Sequence, residues 1–142
     1  MGDSTTIDVL NRLLALHSHS LPMYLVNAPP WVAEEQLDAA TALRHVGEDQ
    51  QLMSDRIGKL IVEYGEVPQM SEFPMVFTDM HDLPLDYILT EVKRRQQYEI
   101  EQIQACIGQL QEAPVAKAIA EEALGAAKAH LENLVEAETV TA

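Results

Sequence analysis

A chain of 142 residues is long enough for one domain with a sizeable hydrophobic core. Only 5% of its residues are aromatic, while Leu, Ile, Ala, Glu and Gln recur throughout, which is typical of helices packed on helices. A formal net charge of -14 leaves no basic surface for nucleic acid or an anionic membrane, so we expect neither as a partner.

The first predicted helix covers residues 7–27 and carries a histidine in its apolar face. Successive residues turn by about 100°, which places His17 near the centre of an apolar stripe. Pro22 is expected to bend this helix, because it cannot donate to the carbonyl of Ser18. The stripe consists of Leu10, Leu13, Leu14, Leu21 and Tyr24.

The second predicted helix covers residues 34–64, after the break at Pro29 and Pro30. Gln50 is the polar residue on its core side, whereas Glu48 points to solvent by the same angular arithmetic. Gly65 ends the helix as a C-cap residue.

A long connection without helical or alternating period follows over residues 66–82. Its seventeen residues reach roughly 55 Å when extended, more than the length of about 45 Å of a thirty-residue helix. The connection is therefore expected to cross the whole bundle and to make the second and third helices parallel. Its apolar side chains either cover the bundle's own core or form a ligand pocket or partner surface: Met70, Phe73, Met75, Phe77 and Met80.

The remaining two helices are predicted over 84–111 and 114–136, with Glu99 and His130 in their apolar faces. With the four helices running up, down, down and up, His17, Gln50, Glu99 and His130 lie within roughly 10 Å of one another along the axis. We therefore predict one polar layer inside a four-helix bundle, a place where such bundles build metal sites.

Three stretches resemble the ferritin-like superfamily, which includes the bacterioferritins and rubrerythrins. The run Leu10-Asn11-Arg12-Leu13-Leu14, followed by His17 and by Tyr24-Leu25, is similar to that family's first helix. The segment from Ile57 to Pro68 is similar to the end of its second helix, and 130–134 to part of its fourth. The resemblance implies an all-α, ferritin-like four-helix bundle over residues 1–142, with a long crossover between helices 2 and 3.

The resemblance also implies a degenerate metal site. The family's two-iron site takes one carboxylate each from the first and third helices and a Glu-x-x-His pair from the second and fourth. The matching positions hold His17, Gln50 with Met53, Glu99, and Ala127 with His130. Only Glu99 supplies a carboxylate, and two iron ions in a low-dielectric core need several, which argues against ferroxidase chemistry.

Three functions stay open at this point. In the first, the protein is a non-catalytic binding or structural protein, and its polar layer is a hydrogen-bonded cluster. In the second, His17, Glu99 and His130 bind iron or zinc, as a metal carrier or a metal-dependent oxidoreductase. In the third, the methionine-rich crossover covers an apolar-ligand pocket or partner surface. Whether the protein is an enzyme is therefore left open.

The oligomeric state and the cellular location are predicted from less prominent features of the sequence. Leu16 and Leu52 lie on otherwise polar faces and favour a homodimer. The N-terminus lacks the features of a secretory signal, and no stretch reaches the roughly 18 apolar residues of a membrane span. We therefore expect a cytoplasmic protein, with its single Cys106 as a small core residue.

Overall fold

The computed structural model describes the backbone of residues 2–69 and 72–141, and the side chains of 4–69 and 72–138. This part of the chain is helical without a strand, which confirms the predicted all-α class. None of its helices combines the length and apolar character that a membrane crossing requires. The described residues form five α-helices, which we label α1 (Gly2–Ser18), α2 (Leu21–Asn27), α3 (Leu37–Glu63), α4 (Leu85–Gly108) and α5 (Pro114–Thr141).

The single bent helix expected over 7–27 is instead two helices, α1 and α2. Ser20 adopts an extended conformation and caps α2, because its hydroxyl accepts a hydrogen bond from the backbone N–H of Met23 at 3.2 Å. Pro22 lies in the first turn of α2, where its missing N–H costs no helical hydrogen bond. A serine cap therefore takes the place of the expected proline bend.

The other predicted bounds differ at the helix ends. The expected helix over 34–64 begins as a 3₁₀ turn at Glu34–Gln36 and continues as α3. The helix expected over 84–111 is α4, Leu85–Gly108, and the one expected over 114–136 is α5, which continues to Thr141. Such end turns are the least regular part of any helix.

The apolar interior consists of two separate clusters. The lower core joins α1 to the C-terminal halves of α3 and α4 and to the N-terminal half of α5; its most buried large side chains are Leu10, Leu13, Ile57, Ile61, Ile103 and Leu110. The upper core joins α2, the N-terminal halves of α3 and α4, the end of α5 and the connection before α4; its most buried large side chains are Leu21, Phe77, Leu85, Ile88, Leu89 and Leu134.

The direction of a helix is given by which of its two halves contributes residues to the lower core and which to the upper core. Both α3 and α4 begin in the upper core and end in the lower core, whereas α5 runs the opposite way. The connection over residues 64–84 therefore leaves α3 at the lower core and enters α4 at the upper core. It includes two 3₁₀ turns, Met75–Phe77 and Met80–Asp82.

The connection covers the upper core with some of its apolar side chains and exposes others. Phe77 and Met80 are buried in the upper core, and Phe73 packs against its edge. Met75 is 88% exposed, while Met70 lies outside the described residues.

The backbone of α2 approaches α3 closely at Gly47. A Cβ atom added there would lie 2.5 Å from Cγ2 of Val26 and 2.7 Å from the carbonyl oxygen of Pro22. Only glycine fits at this crossing without a shift of α2. The contact fixes how α2, and with it Ser20, is presented to α3.

Candidate functional site

A layer of polar side chains separates the lower core from the upper core. We call it the polar layer, and its fully buried members come from the α1–α2 junction, α3 and α4: His17, Ser20, Gln50, Gln96 and Glu99. His130 of α5 lies at the edge of the layer, with its side chain 16% exposed. The four polar residues that the stripes predict to point inward are thus buried or at the edge of this layer.

One chain of hydrogen bonds crosses the layer. Ser20 donates from its hydroxyl to Oε1 of Gln50 at 2.5 Å, and Gln50 donates from Nε2 to Oε2 of Glu99 at 3.2 Å. The chain therefore links α2 to α4 through a single amide side chain of α3. Both ends of this amide are satisfied in an interior where an unpaired polar group is costly.

Glu99 is a buried carboxyl group that stays largely protonated at neutral pH. Burial raises the pKa of Glu99 to about 8, although the hydrogen bond from Gln50 and the charge of Arg95 both act to lower it. A neutral carboxyl group can donate as well as accept, unlike a carboxylate. At neutral pH, Glu99 therefore adds little negative charge to the polar layer.

His17 is buried and hydrogen-bonded to its own helix. Its Nδ1 donates to the carbonyl oxygen of Leu13 at 2.9 Å in the neutral tautomer that this contact fits. Burial lowers the pKa of His17, against the raising effects of the Leu13 hydrogen bond and of Asp49, while His130 lowers it further. His17 is accordingly neutral at physiological pH.

His130 pairs with a residue that the sequence reasoning missed. Its Nε2 lies 2.7 Å from Oδ2 of Asp49, so this pair joins α5 to α3 at the edge of the layer. Asp49 is 46% exposed and follows Glu48, which points to solvent as predicted. The side-chain periodicity of α3 does not predict this pair, because the contact between His130 and Asp49 depends on where α5 packs against α3.

Two further members of the layer were not predicted as site residues. Gln96 donates from Nε2 to the carbonyl oxygen of Ala127 at 3.3 Å, which joins α4 to α5. Ser20 caps α2 as well as bonding Gln50. The signal for Ser20 was a serine two residues before a proline, a pattern typical of helix starts. Gln96 lies at the flank of its stripe, where periodicity alone does not decide burial.

A small central cavity brings the three predicted metal ligands together. Its volume is about 10 Å³, enough for about one water molecule. His17, Glu99 and His130 line it together with Asp49, Gln50 and Gln96. Within the described residues, no group of three or more His, Cys, Asp and Glu side chains is arranged to hold a metal ion. The assignment of metal-ligand roles to these residues stays a prediction.

A larger cavity of about 290 Å³ also has Glu99 in its lining. Its roof is formed by Pro74 and Phe77 of the connection before α4, and α1, α2 and α4 supply its walls. The guanidinium groups of Arg12 and Arg95 line it as well. This cavity, and not the central one, has the volume to admit an organic molecule.

The comparisons with known proteins return no match: no protein-family model, no curated protein and no solved structure is similar to this chain.

Proposed function

We propose that this chain is a non-catalytic binding or structural protein of ferritin-like architecture, in which a hydrogen-bonded polar layer occupies the level of a two-metal site. The observation that supports the proposal is the hydrogen-bond chain from Ser20 through Gln50 to Glu99. Side chains that satisfy one another in this way hold helices in register.

The direction of the helices supports the ferritin-like four-helix bundle as part of this proposal. In that arrangement, α1 and α2 together act as the first helix, and α3, α4 and α5 as the other three. The connection over residues 64–84 is then the long crossover, since it joins opposite cores.

The charge of the layer argues against a pair of iron ions. Glu99 is the one carboxyl group among its buried members, and its raised pKa keeps it mostly neutral at pH 7. The carboxylate of Asp49 is already held by His130 at 2.7 Å. Two divalent or trivalent ions buried here would lack the anionic ligands that offset the cost of their desolvation.

A second candidate function is a single iron or zinc ion bound by His17, Glu99 and His130, as a carrier or a metal-dependent oxidoreductase. One observation favours it, namely that these three residues line the same small cavity. Two histidines and one carboxylate are a ligand set that both metals accept. Binding would require Glu99 to lose its proton and His130 to exchange its contact with Asp49.

Metal content distinguishes the two candidates. The full chain is purified without chelator, and bound iron and zinc are measured for the wild type, a His17→Ala, His130→Ala double variant and a His45→Ala control. His45 is an exposed histidine of α3 and contributes nothing to the layer. We expect the same trace occupancy in all three proteins. Near-stoichiometric metal in the wild type and the control, lost in the double variant, would overturn the non-catalytic proposal in favour of the metal site.

We also propose that the protein is a cytoplasmic homodimer. Leu52 is 62% exposed on α3, which supports a partner surface on that helix, whereas Leu16 packs against the lower core and lines the larger cavity. Cys106 is a free, buried thiol, as suits a reducing compartment. Light scattering on the eluted protein is expected to give twice the chain mass, and Leu52→Lys to give the monomer. A monomeric wild type would refute the dimer.

A further inference from the structure

The cavity of about 290 Å³ beside the polar layer has positively charged groups in a strongly acidic protein. Arg12 and Arg95 line it, although the whole chain carries a formal net charge of -14. The partners of these two guanidinium groups therefore decide what the cavity attracts.

Arg95 shares its one carboxylate with a neighbour. Glu91 accepts two hydrogen bonds from Arg94, from Nε at 3.1 Å and from Nη2 at 2.7 Å. Nε of Arg95 lies 3.5 Å from the same carboxylate. One negative charge thus serves two guanidinium groups, and a positive charge is left over at this edge of the cavity.

The Nε–H of Arg95 is also a buried donor for which the described residues provide no hydrogen bond. The guanidinium group is held in place over the ring of Phe77, with Cζ at 4.8 Å from the ring centroid. The side chain of Arg95 is 32% exposed and lines the cavity, so its guanidinium group can contact an anionic ligand there.

Arg12 adds a second cation that lacks an acidic partner. Its Nη2 donates to Oε1 of Gln109, a neutral amide, and no ion pair to Arg12 exists within residues 4–69 and 72–138. Arg12 and Arg95 therefore both line the cavity without a carboxylate of their own.

The rest of the wall is mainly apolar and the volume is modest. Leu16, Leu21, Phe77 and Val92 supply apolar surface. A cavity of about 290 Å³ holds about ten non-hydrogen atoms at about 30 Å³ for each water-sized atom. A phosphate ion would leave this apolar surface uncovered, whereas an acid with a hydrocarbon body would cover it.

We infer that this cavity binds a small monocarboxylate of about ten non-hydrogen atoms, most of which form an apolar body. The carboxylate lies against the guanidinium of Arg95, with Arg12 nearby, and the apolar body lies under Phe77. The planar guanidinium fork matches the two oxygens of a carboxylate, so recognition is by charge and shape together. This inference rests on the proposed binding role and names the class of ligand.

Calorimetric titration of the full chain with 3-phenylpropanoate tests the inference, with the neutral 3-phenylpropan-1-ol as the comparison ligand. We expect saturable one-to-one binding of the acid and binding of the alcohol weaker by about tenfold or more. Binding of the acid is expected to weaken as sodium chloride is raised, and that of the alcohol to stay constant. Equal binding of acid and alcohol, or no saturable binding of the acid, would overturn the inference.

Two arginines provide a matched pair of variants. Arg95→Met is expected to weaken binding of the acid by about tenfold or more, whereas Arg56→Met, at an exposed arginine that pairs with Glu122 and does not line the cavity, is expected to change it by less than about twofold. Ala15→Leu keeps both guanidinium groups and narrows the cavity that Ala15 lines, so it is expected to abolish binding even if Arg95→Met is poorly folded. Unchanged binding in Ala15→Leu would place the ligand elsewhere and contradict the inference.

The two proposals fail independently. Failure of the non-catalytic role appears as metal bound by His17 and His130, whatever the titration gives. Failure of the present inference appears as absent or charge-independent binding in a protein that is free of metal.

Discussion

Gln50 donates from Nε2 to Oε2 of Glu99 at 3.2 Å, and this hydrogen bond joins α3 to α4 between the two apolar cores. The same side chain accepts from Ser20 at the start of α2. Three helices therefore depend on one amide for the polar contacts at their centre.

Replacing Gln50 by leucine is expected to destabilise the fold by about 2 to 4 kcal/mol, because the Ser20 hydroxyl and the Glu99 carboxyl group both lose a buried partner. Chemical denaturation measures the change in the free energy of unfolding. Gln51→Leu is the matched control, since Gln51 is exposed and bonds only Asp55, and a change within about 0.5 kcal/mol is expected.

A double variant that removes both the amide and the carboxyl group tests the same coupling. With Gln50→Leu and Glu99→Leu combined, no buried carboxyl group is left without its amide partner, and the Ser20 hydroxyl keeps its hydrogen bond from the backbone N–H of Met23, so the double variant is expected to regain part of the stability lost in Gln50→Leu. A double variant less stable than Gln50→Leu would show that the two groups act separately.

Glu99→Gln is expected to change how stability depends on pH. The folded-state pKa of Glu99 is raised from 4.5 to about 8, so the folded protein holds a proton that the unfolded chain releases between these values. The wild type therefore loses stability as the pH rises from about 4.5 to about 8, by up to about 1.4 kcal/mol per pH unit, and the loss is complete above this range.

Glutamine cannot ionise and still accepts the hydrogen bond from Gln50. The variant is therefore expected to gain on the wild type as the pH rises and to be the more stable of the two at pH 9. Thermal unfolding followed by circular dichroism from pH 5 to pH 9 measures the difference. If the melting temperatures of the two proteins changed with pH in parallel, this would contradict the burial of an ionisable Glu99.

His17→Gln is expected to change the acid side of the same profile. Burial lowers the pKa of His17 below 6.5, so the unfolded chain takes up a proton near pH 6.5 that the folded protein takes up only at lower pH. The wild type therefore loses stability as the pH falls below about 6.5, and the variant lacks this part of the loss. Denaturation at pH 5.5 and pH 7.5 measures it, with His45→Ala as the exposed control.

Gly47→Ala is expected to destabilise the fold by about 1 to 3 kcal/mol, because the new methyl group overlaps the Pro22 carbonyl and Val26. Gly58→Ala on the same helix is the control. Its Cβ would meet only Cγ of Pro68 at 3.8 Å, an ordinary contact, so the gain in helix propensity is expected to raise stability by up to about 1 kcal/mol. Equal effects of the two substitutions on the midpoint of denaturation would refute the close approach of α2.

The sequence alone predicts most of the buried polar residues, but not the contact at the edge of the polar layer or the break between α1 and α2. His17, Gln50 and Glu99 occur in apolar stripes with a strong helical period, and all three are buried. The pairing of His130 with Asp49 was not predictable, because it depends on the packing of α5 against α3. The break at Ser20 was missed because the apolar period continues through it to Leu21, while a local hydrogen bond to Met23 decides the backbone.

The separation of the apolar interior into a lower and an upper core has a consequence for the dynamics of the molecule. The helices α3, α4 and α5 pass through both cores, but the upper core also depends on the short α2 and on the irregular connection before α4. Fewer continuous turns of helix hold the backbone amides at that end, so we expect them to exchange with deuterium sooner than those around Ile57 and Ile103. Local opening is then expected to begin at the end at which Phe77 lines the larger cavity.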